Sequence, residues 1–201
     1  MTLKNPEVHD IFRVPVYEFQ LDIDNYKLYN YCNEYKKSEK GRIISNLGGY
    51  QSNPLDLNEP ALQPLLKQIK LNVNTFADQV MNSCEQKITN IWFNINRYKD
   101  SNLLHNHPQS EISGAYYVKT PDECGQITFQ HPASDVLDYW DRLRRPKSEQ
   151  RSTYDAFSWN MPVYEGGLYL FPSWVNHRVE SNLNLTEDRV SFAFNTSYIG
   201  E

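Results

Sequence analysis

Apolar and polar positions alternate in two different ways along this chain, and the change falls near its middle. The first half contains a strand-like alternation at 12–21, a helical stretch at 26–37 and a short predicted strand at 43–51, interrupted by its glycine pair. A second helix is predicted after Asn58, the expected cap, with Pro60 where a first-turn proline is tolerated. Its apolar residues recur at three- and four-residue steps, which indicates a helix packed against a sheet. This stripe consists of Leu62, Leu65, Leu66, Ile69, Val73, Phe76 and Val80.

The second half consists of short alternating segments that are rich in β-branched and aromatic residues. Turn sequences separate them, for example at 121–125 and 164–167. Many short strands at fairly even spacing predict a sandwich or barrel, so we expect one domain in which a flank, 1–86, lies on a β core, 87–201. A charged stretch within this core is expected to hold a helix at 134–145 and lies where a lid could lie. The predicted strands have the sequences ITNIWFNINRY, ISGAYYVKT, GQITFQ, GGLYLFP, HRVES and RVSFAFNTSY.

Length and charge limit the classes of function. The 201 residues suit one domain with a sizeable core. A net charge of -5 lacks the basic field that general binding along a nucleic-acid backbone needs, which argues against such a partner. One basic run is interpreted as a solvated loop, with a local basic patch as the alternative. It contains Arg142, Arg144, Arg145 and Lys147.

Cysteine usage and hydropathy predict a soluble protein in a reducing compartment. Cys32, Cys84 and Cys124 are far apart and form no CxxC pair, which argues against a disulfide framework and a zinc knuckle. The N-terminal segment has no apolar run of signal-peptide length, and no stretch approaches the roughly 20 apolar residues of a membrane span. We therefore expect a cytoplasmic protein with no membrane partner.

Four of the five histidines lie in the predicted β core, and three of them are candidate metal ligands. His105 and His107 form an H-N-H sequence, and residues two apart in a strand point to the same face, so both imidazoles could reach one ion. His177, which follows a strand pattern and a proline-containing turn, is the best third ligand. Such a set suits iron, zinc, copper or nickel and leaves positions open for a cosubstrate and O2. His131 is expected to be structural or to support the site from outside it.

Arg189 is the second candidate feature. It lies in an alternating strand and shares one face with Ser191 and Ala193. An arginine that points into a barrel is costly unless it meets an anion, and a carboxylate accepts its planar fork through two hydrogen bonds. Ser191 could donate to the same carboxylate. The alternative is an outward arginine that pairs with Glu187 or Asp188.

These residues lie in three sequences, HNHPQSEISGAYYVKTP, GGLYLFPSWVNHRVES and DRVSFAFN, which in this order resemble the 2-oxoglutarate- and iron(II)-dependent oxygenase superfamily. The chain resembles most closely an oxygenase family common in marine phages and bacteria, and the segments VPVYEFQL and NLGGYQS extend this resemblance to most of the chain. The resemblance implies a mainly β fold, a double-stranded β-helix (jelly roll) with flanking N-terminal helices. It also implies an Fe(II)/2-oxoglutarate-dependent dioxygenase that hydroxylates a substrate, in the host cytoplasm if the protein is viral.

The resemblance also assigns roles to individual residues. His177 matches the distal histidine ligand, and His105 matches the histidine of the superfamily's His-x-Asp pair. Arg189 matches the arginine that binds the far carboxylate of 2-oxoglutarate, with Ser191 beside it. Tyr117, in GAYYVK, is similar to the tyrosine that prolyl-hydroxylase-type members use against the same carboxylate.

One position departs from the superfamily, since His107 stands where Asp or Glu is usual. Either His107 is itself a ligand, which gives a set of three histidines, or Glu111 supplies a carboxylate. HxHxxxE resembles the first motif of cupins, whose fold is similar. We prefer His107, because strand geometry delivers its imidazole without a turn. The expected catalytic and metal-binding set is therefore His105, His107 and His177.

Two further hypotheses stay open at this stage. One is a cupin-like metalloprotein that does not use 2-oxoglutarate, and the other is a non-catalytic phage structural or binding protein. For an oxygenase, a prolyl or other peptide residue is the expected substrate, since the core sequences are most similar to those of prolyl hydroxylases. A nucleobase or a small molecule is the alternative.

Overall fold

Two antiparallel sheets form the body of the computed structural model, which describes residues 7, 9–82, 85–144 and 152–198, with only the backbone described for 140–144. In these residues one sheet has six strands and the other five. The six-stranded sheet contains, in spatial order, β1 (Tyr17–Gln20), β9 (Gly167–Pro172), β6 (Ile112–Lys119), β11 (Arg189–Tyr198), β4 (Gln86–Asn96) and β3 (Tyr50–Gln51). The five-stranded sheet contains β2 (Asn46–Leu47), β5 (Ser101–His105), β10 (His177–Val179), β7 (Ile127–Gln130) and β8 (Ser158–Met161). The predicted mainly β, jelly-roll fold is confirmed.

The first 86 residues contribute strands as well as helices to this architecture. The strand predicted at 12–21 is shorter than expected and spans Tyr17–Gln20 at the edge of the six-stranded sheet. The stretch predicted at 43–51 forms β2 in one sheet and β3 in the other. Gly48 and Gly49 between them have φ angles of +71° and +65°, a conformation that favours glycine. The glycine pair thus turns the chain from one sheet into the other.

Two long helices, α1 (Asn25–Ser38) and α2 (Gln63–Phe76), confirm the helical predictions. The predicted Asn58 cap is wrong, because a 3₁₀ turn that begins at Pro60 precedes α2. The side chain of Glu59 caps this turn by accepting from the Ala61 N–H at 3.2 Å. A π-helical turn, Ala77–Met81, extends α2 at its other end.

The apolar stripe of α2 packs on the outer face of the six-stranded sheet. It meets the side chains of β4 and β11 that point away from the second sheet, such as Phe93, Phe192 and Phe194. A smaller cluster around Phe129 and Phe171 fills part of the space between the sheets. Because the helices supply the apolar partner of the outer face, the inner face is left for polar side chains.

The charged stretch near the end of the core contains α3 (Ser134–Arg144), as predicted, and the strand β8, which was not. The basic run from Arg142 to Lys147 lies outside the side chains described, as does Cys84. Cys32 and Cys124 are buried and form no disulfide with a described residue. Among the helices of the described residues, none has the length and apolar character needed to cross a bilayer.

Shortening a side chain of the α2 stripe should destabilise the whole domain. Ile69 is fully buried between α2 and the sheet, whereas Leu71 on the same helix is 63% exposed. We expect Ile69→Ala to lower the free energy of unfolding by about 2–5 kcal/mol through lost burial and a residual cavity. Leu71→Ala should change it by less than about 0.5 kcal/mol. Urea denaturation of both variants measures the difference, and equal effects would contradict this packing.

Candidate metal centre

Three histidines meet at the end of the five-stranded sheet. His105 closes β5 and His177 opens β10, and these two residues are directly opposite each other in the antiparallel pair. His107 lies two residues beyond the end of β5, where its backbone N–H donates to the Ser173 carbonyl at 2.9 Å. The potential ligand atoms of the three imidazoles all lie within 4.8 Å of one another, so they could hold one metal ion.

His107 joins the cluster, but not for the reason that the sequence predicted. Strand geometry does not deliver this imidazole, because the strand has already ended at His105. Instead, the hydrogen bond to Ser173 ties the segment after β5 to the turn between β9 and β10. The ring centroids of His107 and His177 are 5.1 Å apart as a result.

Backbone carbonyls orient two of the three rings. Nδ1 of His105 lies 2.6 Å from the Leu103 carbonyl oxygen, and Nδ1 of His177 lies 3.0 Å from that of Val175. A carbonyl can only accept, so each Nδ1 carries the proton and donates it. This tautomer leaves the lone pair on Nε2, the arrangement found in metal-ligating histidines.

Burial keeps the cluster uncharged. It lowers the pKa of His177 to about 3 and that of His107 to about 4, and repulsion between neighbouring imidazoles adds to both shifts. The pKa of His105 is also lowered, chiefly by burial. Neutral imidazoles need lose no proton before they bind a cation, so the cluster is prepared for a metal at neutral pH.

Aromatic rings surround the cluster. The Trp92 ring centroid lies 5.8 Å from that of His107, and the Phe171 ring centroid lies 4.5 Å from that of His177. Trp92, Asn94, Ser191 and the three histidines line one small cavity between the sheets. Of the two faces of β4, the one that carries Trp92 and Asn94 lines this cavity.

Arg189 is fully buried on the same inner face. Its Nη1 donates to the carbonyl oxygens of Cys124 and Glu180, the latter at 2.9 Å. Its Nε and Nη2 have no hydrogen-bond partner among the described residues. The alternative of an outward arginine is wrong, since Glu187 is bonded to Lys119 instead at 2.9 Å. Two donors of a buried cation are therefore available to an anion.

Ser191 and Tyr117 stand next to each other on this face, as cross-strand partners on β11 and β6. Burial raises the pKa of Tyr117, so its hydroxyl stays protonated and can donate a hydrogen bond. Asn94 is the partner of Ser191 on the other side, and its Oδ1 is buried without a partner among the described residues. The alternation of Asn94 with Phe93 in the sequence is the signal that places it on this face.

Two other polar residues near the cluster have local roles. The Glu111 carboxylate accepts a hydrogen bond from Gln86 at 2.7 Å and is not part of the histidine group. His131 accepts at Nδ1 from the Ala133 N–H at 3.0 Å, just before α3. This contact is local, and His131 is not part of the histidine group.

Comparison with known proteins agrees with this arrangement. The model of the family described as "Putative 2OG-Fe(II) oxygenase", where 2OG is 2-oxoglutarate, matches residues 90–195, which is more than half of the chain. The matched segment contains His105, His107, His177 and Arg189. No curated protein matches the sequence.

Several solved structures share the fold at low sequence identity. A prolyl-4-hydroxylase from Pseudomonas putida matches with a TM-score of 0.63 and 13% identity, over 92% of this chain and 93% of that one. A viral collagen prolyl hydroxylase from Paramecium Bursaria Chlorella virus-1, in complex with 2OG, has a TM-score of 0.56 and 10% identity over 90% and 94% of the two chains. HygX from Streptomyces hygroscopicus, with nickel and 2-oxoglutarate bound, has a TM-score of 0.59 and 13% identity over 92% and 84%.

The neutral histidines should make the metal-free protein sensitive to acid. The pKa of His177 is about 3 when folded, against an ordinary value of 6.5, so between these values the unfolded chain binds a proton that the folded chain does not. The contribution of this group to the free energy of unfolding is therefore fully present above about pH 6.5. It is lost as the pH falls below that value, by up to about 1.4 kcal/mol per pH unit. His177→Gln should remove this part of the slope in urea denaturation between about pH 7 and pH 5. The exposed His9 serves as control through His9→Gln, and an unchanged slope in His177→Gln would show that the folded imidazole is charged.

Proposed function

This chain belongs to the 2OG-Fe(II) oxygenase family, and we propose that it binds iron(II) through His105, His107 and His177 and uses 2-oxoglutarate to hydroxylate a substrate. One observation carries the proposal. The histidine cluster and the buried guanidinium of Arg189, with two unpaired donors, both lie on the inner faces of the same two sheets. A site for a metal ion alone would need no buried guanidinium. A dicarboxylate that chelates the metal through one end needs the metal at that end and a cation at the other.

The far carboxylate of 2-oxoglutarate would be held at the Arg189 end of the inner face. The free Nε and Nη2 of Arg189 suit the bidentate geometry of a carboxylate. Ser191 and Tyr117 would add hydroxyl donors, and the protonated state of Tyr117 makes its hydroxyl a donor rather than a competing anion. These three residues are thus proposed to orient the cosubstrate.

The histidine cluster would hold iron(II), since imidazole suits this ion and the tautomers of His105 and His177 leave Nε2 available. Iron(II) held there would supply the oxidising chemistry, in which 2-oxoglutarate and O2 become succinate and CO2 while a substrate C–H bond is hydroxylated. His107 replaces the usual carboxylate, so the protein ligands contribute no negative charge. The aromatic rings of Trp92 and Phe171 would exclude bulk water from the reacting centre.

A prolyl or other peptide residue is the substrate class that we propose first. The support is that two proteins of the same fold are prolyl hydroxylases, one bacterial and one viral. This is an analogy between folds, and the side chains around the cavity decide the substrate. A small-molecule substrate is the alternative.

Anaerobic titration with iron(II) and then 2-oxoglutarate tests this proposal through the visible charge-transfer band of the chelate. We expect the band in the wild type, its loss in His177→Ala, and binding of 2-oxoglutarate weaker by about 30-fold or more in Arg189→Gln. Ser191→Ala should weaken it only about 2- to 10-fold, because one neutral hydroxyl donor is lost. Equal affinity in the wild type and in a folded Arg189→Gln variant would favour a cupin-like protein that does not use 2-oxoglutarate.

Substitutions at His107 and Glu111 show which of the two residues is the second protein ligand of the iron. Glu111→Gln should leave iron binding and the chelate band unchanged, because Glu111 is bonded to Gln86. His107→Ala should weaken iron binding, and His107→Asp should restore it with a shifted band, since a carboxylate is also an iron ligand. Loss of the band in Glu111→Gln with retention in His107→Ala would reverse the assignment.

A further inference from the structure

A second arginine lies on the inner face of the six-stranded sheet. Arg42 forms an antiparallel bridge with Gln51, to whose carbonyl its N–H donates at 2.8 Å. Gln51 is in turn opposite Asn94, Asn94 opposite Ser191, and Ser191 opposite Tyr117. Side chains that are directly opposite each other point to the same face of a sheet. Arg42 is therefore the outer end of one polar row that crosses the sheet to Tyr117.

Local backbone geometry fixes Arg42 in this row. Gly41 before it has a φ angle of +69°, and a Cβ added there would overlap the carbonyl oxygen of Gln51. Only glycine allows this close approach without a shift of the backbone. The arginine is thus part of the sheet and not the tip of a loose loop.

The guanidinium of Arg42 has no acidic partner in the described part of the chain. Its Nε donates to the Ser52 carbonyl oxygen at 3.1 Å, and its Cζ lies 5.6 Å from the centroid of the Trp92 ring. Partial burial lowers the pKa of Arg42, and no neighbouring carboxylate opposes that shift. Nη1 and Nη2 therefore remain available for a bidentate contact.

Trp92 connects this cation to the histidine cluster. The same indole ring that lies under Arg42 has its centroid 5.8 Å from that of His107. Arg189 is opposite Asn96, four residue pairs further along β4 than the Ala193–Trp92 pair. The inner face thus presents two arginines, one deep beside Asn96 and one beside Trp92, near the cluster.

Two side-chain amide oxygens without a hydrogen-bond partner among the described residues lie between these arginines. Oε1 of Gln51 and Oδ1 of Asn94 are buried and have no hydrogen-bond partner among the described residues. Both belong to the row that begins at Arg42. A ligand with an anionic group for Arg42 and a hydroxyl or N–H group for these amides would satisfy all of them.

We propose that Arg42 binds a carboxylate or phosphate group of the substrate, so that the oxygenase acts on an anionic compound. The inference rests on the proposed function, in which Arg189 is taken by 2-oxoglutarate. Arg42 is then a cation beside Trp92 with no acidic partner in the described part of the chain, and it would hold the substrate on the Trp92 side of the histidine cluster. A peptide substrate would have to present an acidic side chain or a C-terminal carboxylate near the oxidised residue.

Anion binding to the 201-residue chain, loaded with manganese(II) in place of iron and saturated with 2-oxoglutarate, tests this inference. The probes are inorganic phosphate and acetate, followed by the paramagnetic relaxation of ³¹P and ¹H. We expect saturable relaxation of at least one probe, at a distance too long for direct coordination to manganese. Arg42→Gln should weaken this binding by about tenfold or more, and Arg42→Lys by less, because lysine retains the charge but not the fork. The preferred probe then distinguishes a phosphate from a carboxylate substrate.

Arg178→Gln is the matched control, since Arg178 is an exposed arginine on β10. It should bind the probes as the wild type does. Equal binding by Arg42→Gln and the wild type would overturn the inference, as would the absence of saturable binding of both probes to the wild type. The iron(II) chelate band is recorded on each variant as a separate test of the proposed function. Arg42→Gln should retain the band in full, so a wild type with the band but without anion binding would contradict only the role of Arg42.

Discussion

The burial of the Arg189 guanidinium between two sheets is the constraint on which the site depends. Two backbone carbonyls accept from one of its nitrogens, and Nε and Nη2 have no hydrogen-bond partner among the residues that the structure describes. A buried cation in this state is costly, and an anionic ligand offsets that cost. The fold therefore favours an anion at a fixed position, and the histidine cluster lies on the inner side of the same sheets.

The helical flank makes this polar interior possible. In an isolated sandwich, both inner faces have to be apolar to form the core. Here α2 buries the outer face of the six-stranded sheet through residues such as Ile69 and Phe76, so the main apolar core lies outside the space between the sheets. The inner positions of β4 and β11 are thereby free to carry Asn94, Ser191 and Arg189.

The proposed iron ligands carry no formal charge. Three neutral imidazoles would stand where the superfamily usually has two histidines and a carboxylate, so the protein's ligands would contribute no negative charge toward an iron(II) ion. The two arginines on the inner face add positive charge at separate positions, one deep and one beside Trp92. Together these features favour anionic ligands at both positions, which is consistent with a dicarboxylate cosubstrate and an acidic substrate.

Local patterns in the sequence predict both long helices, most of the strands and the chemical types of the site residues. The three- and four-residue steps of α2 and the alternation around Arg189 are local patterns, and local periodicity decides which face of an element is apolar. The tertiary structure alone decided which face of β4 lines the cavity and which residues meet there. His107 reaches the cluster through Ser173, Glu111 is bonded to Gln86, and Arg42 is placed over Trp92. Each of these contacts joins residues at least 25 positions apart in the chain, and local spacing along a sequence does not encode contacts between distant segments.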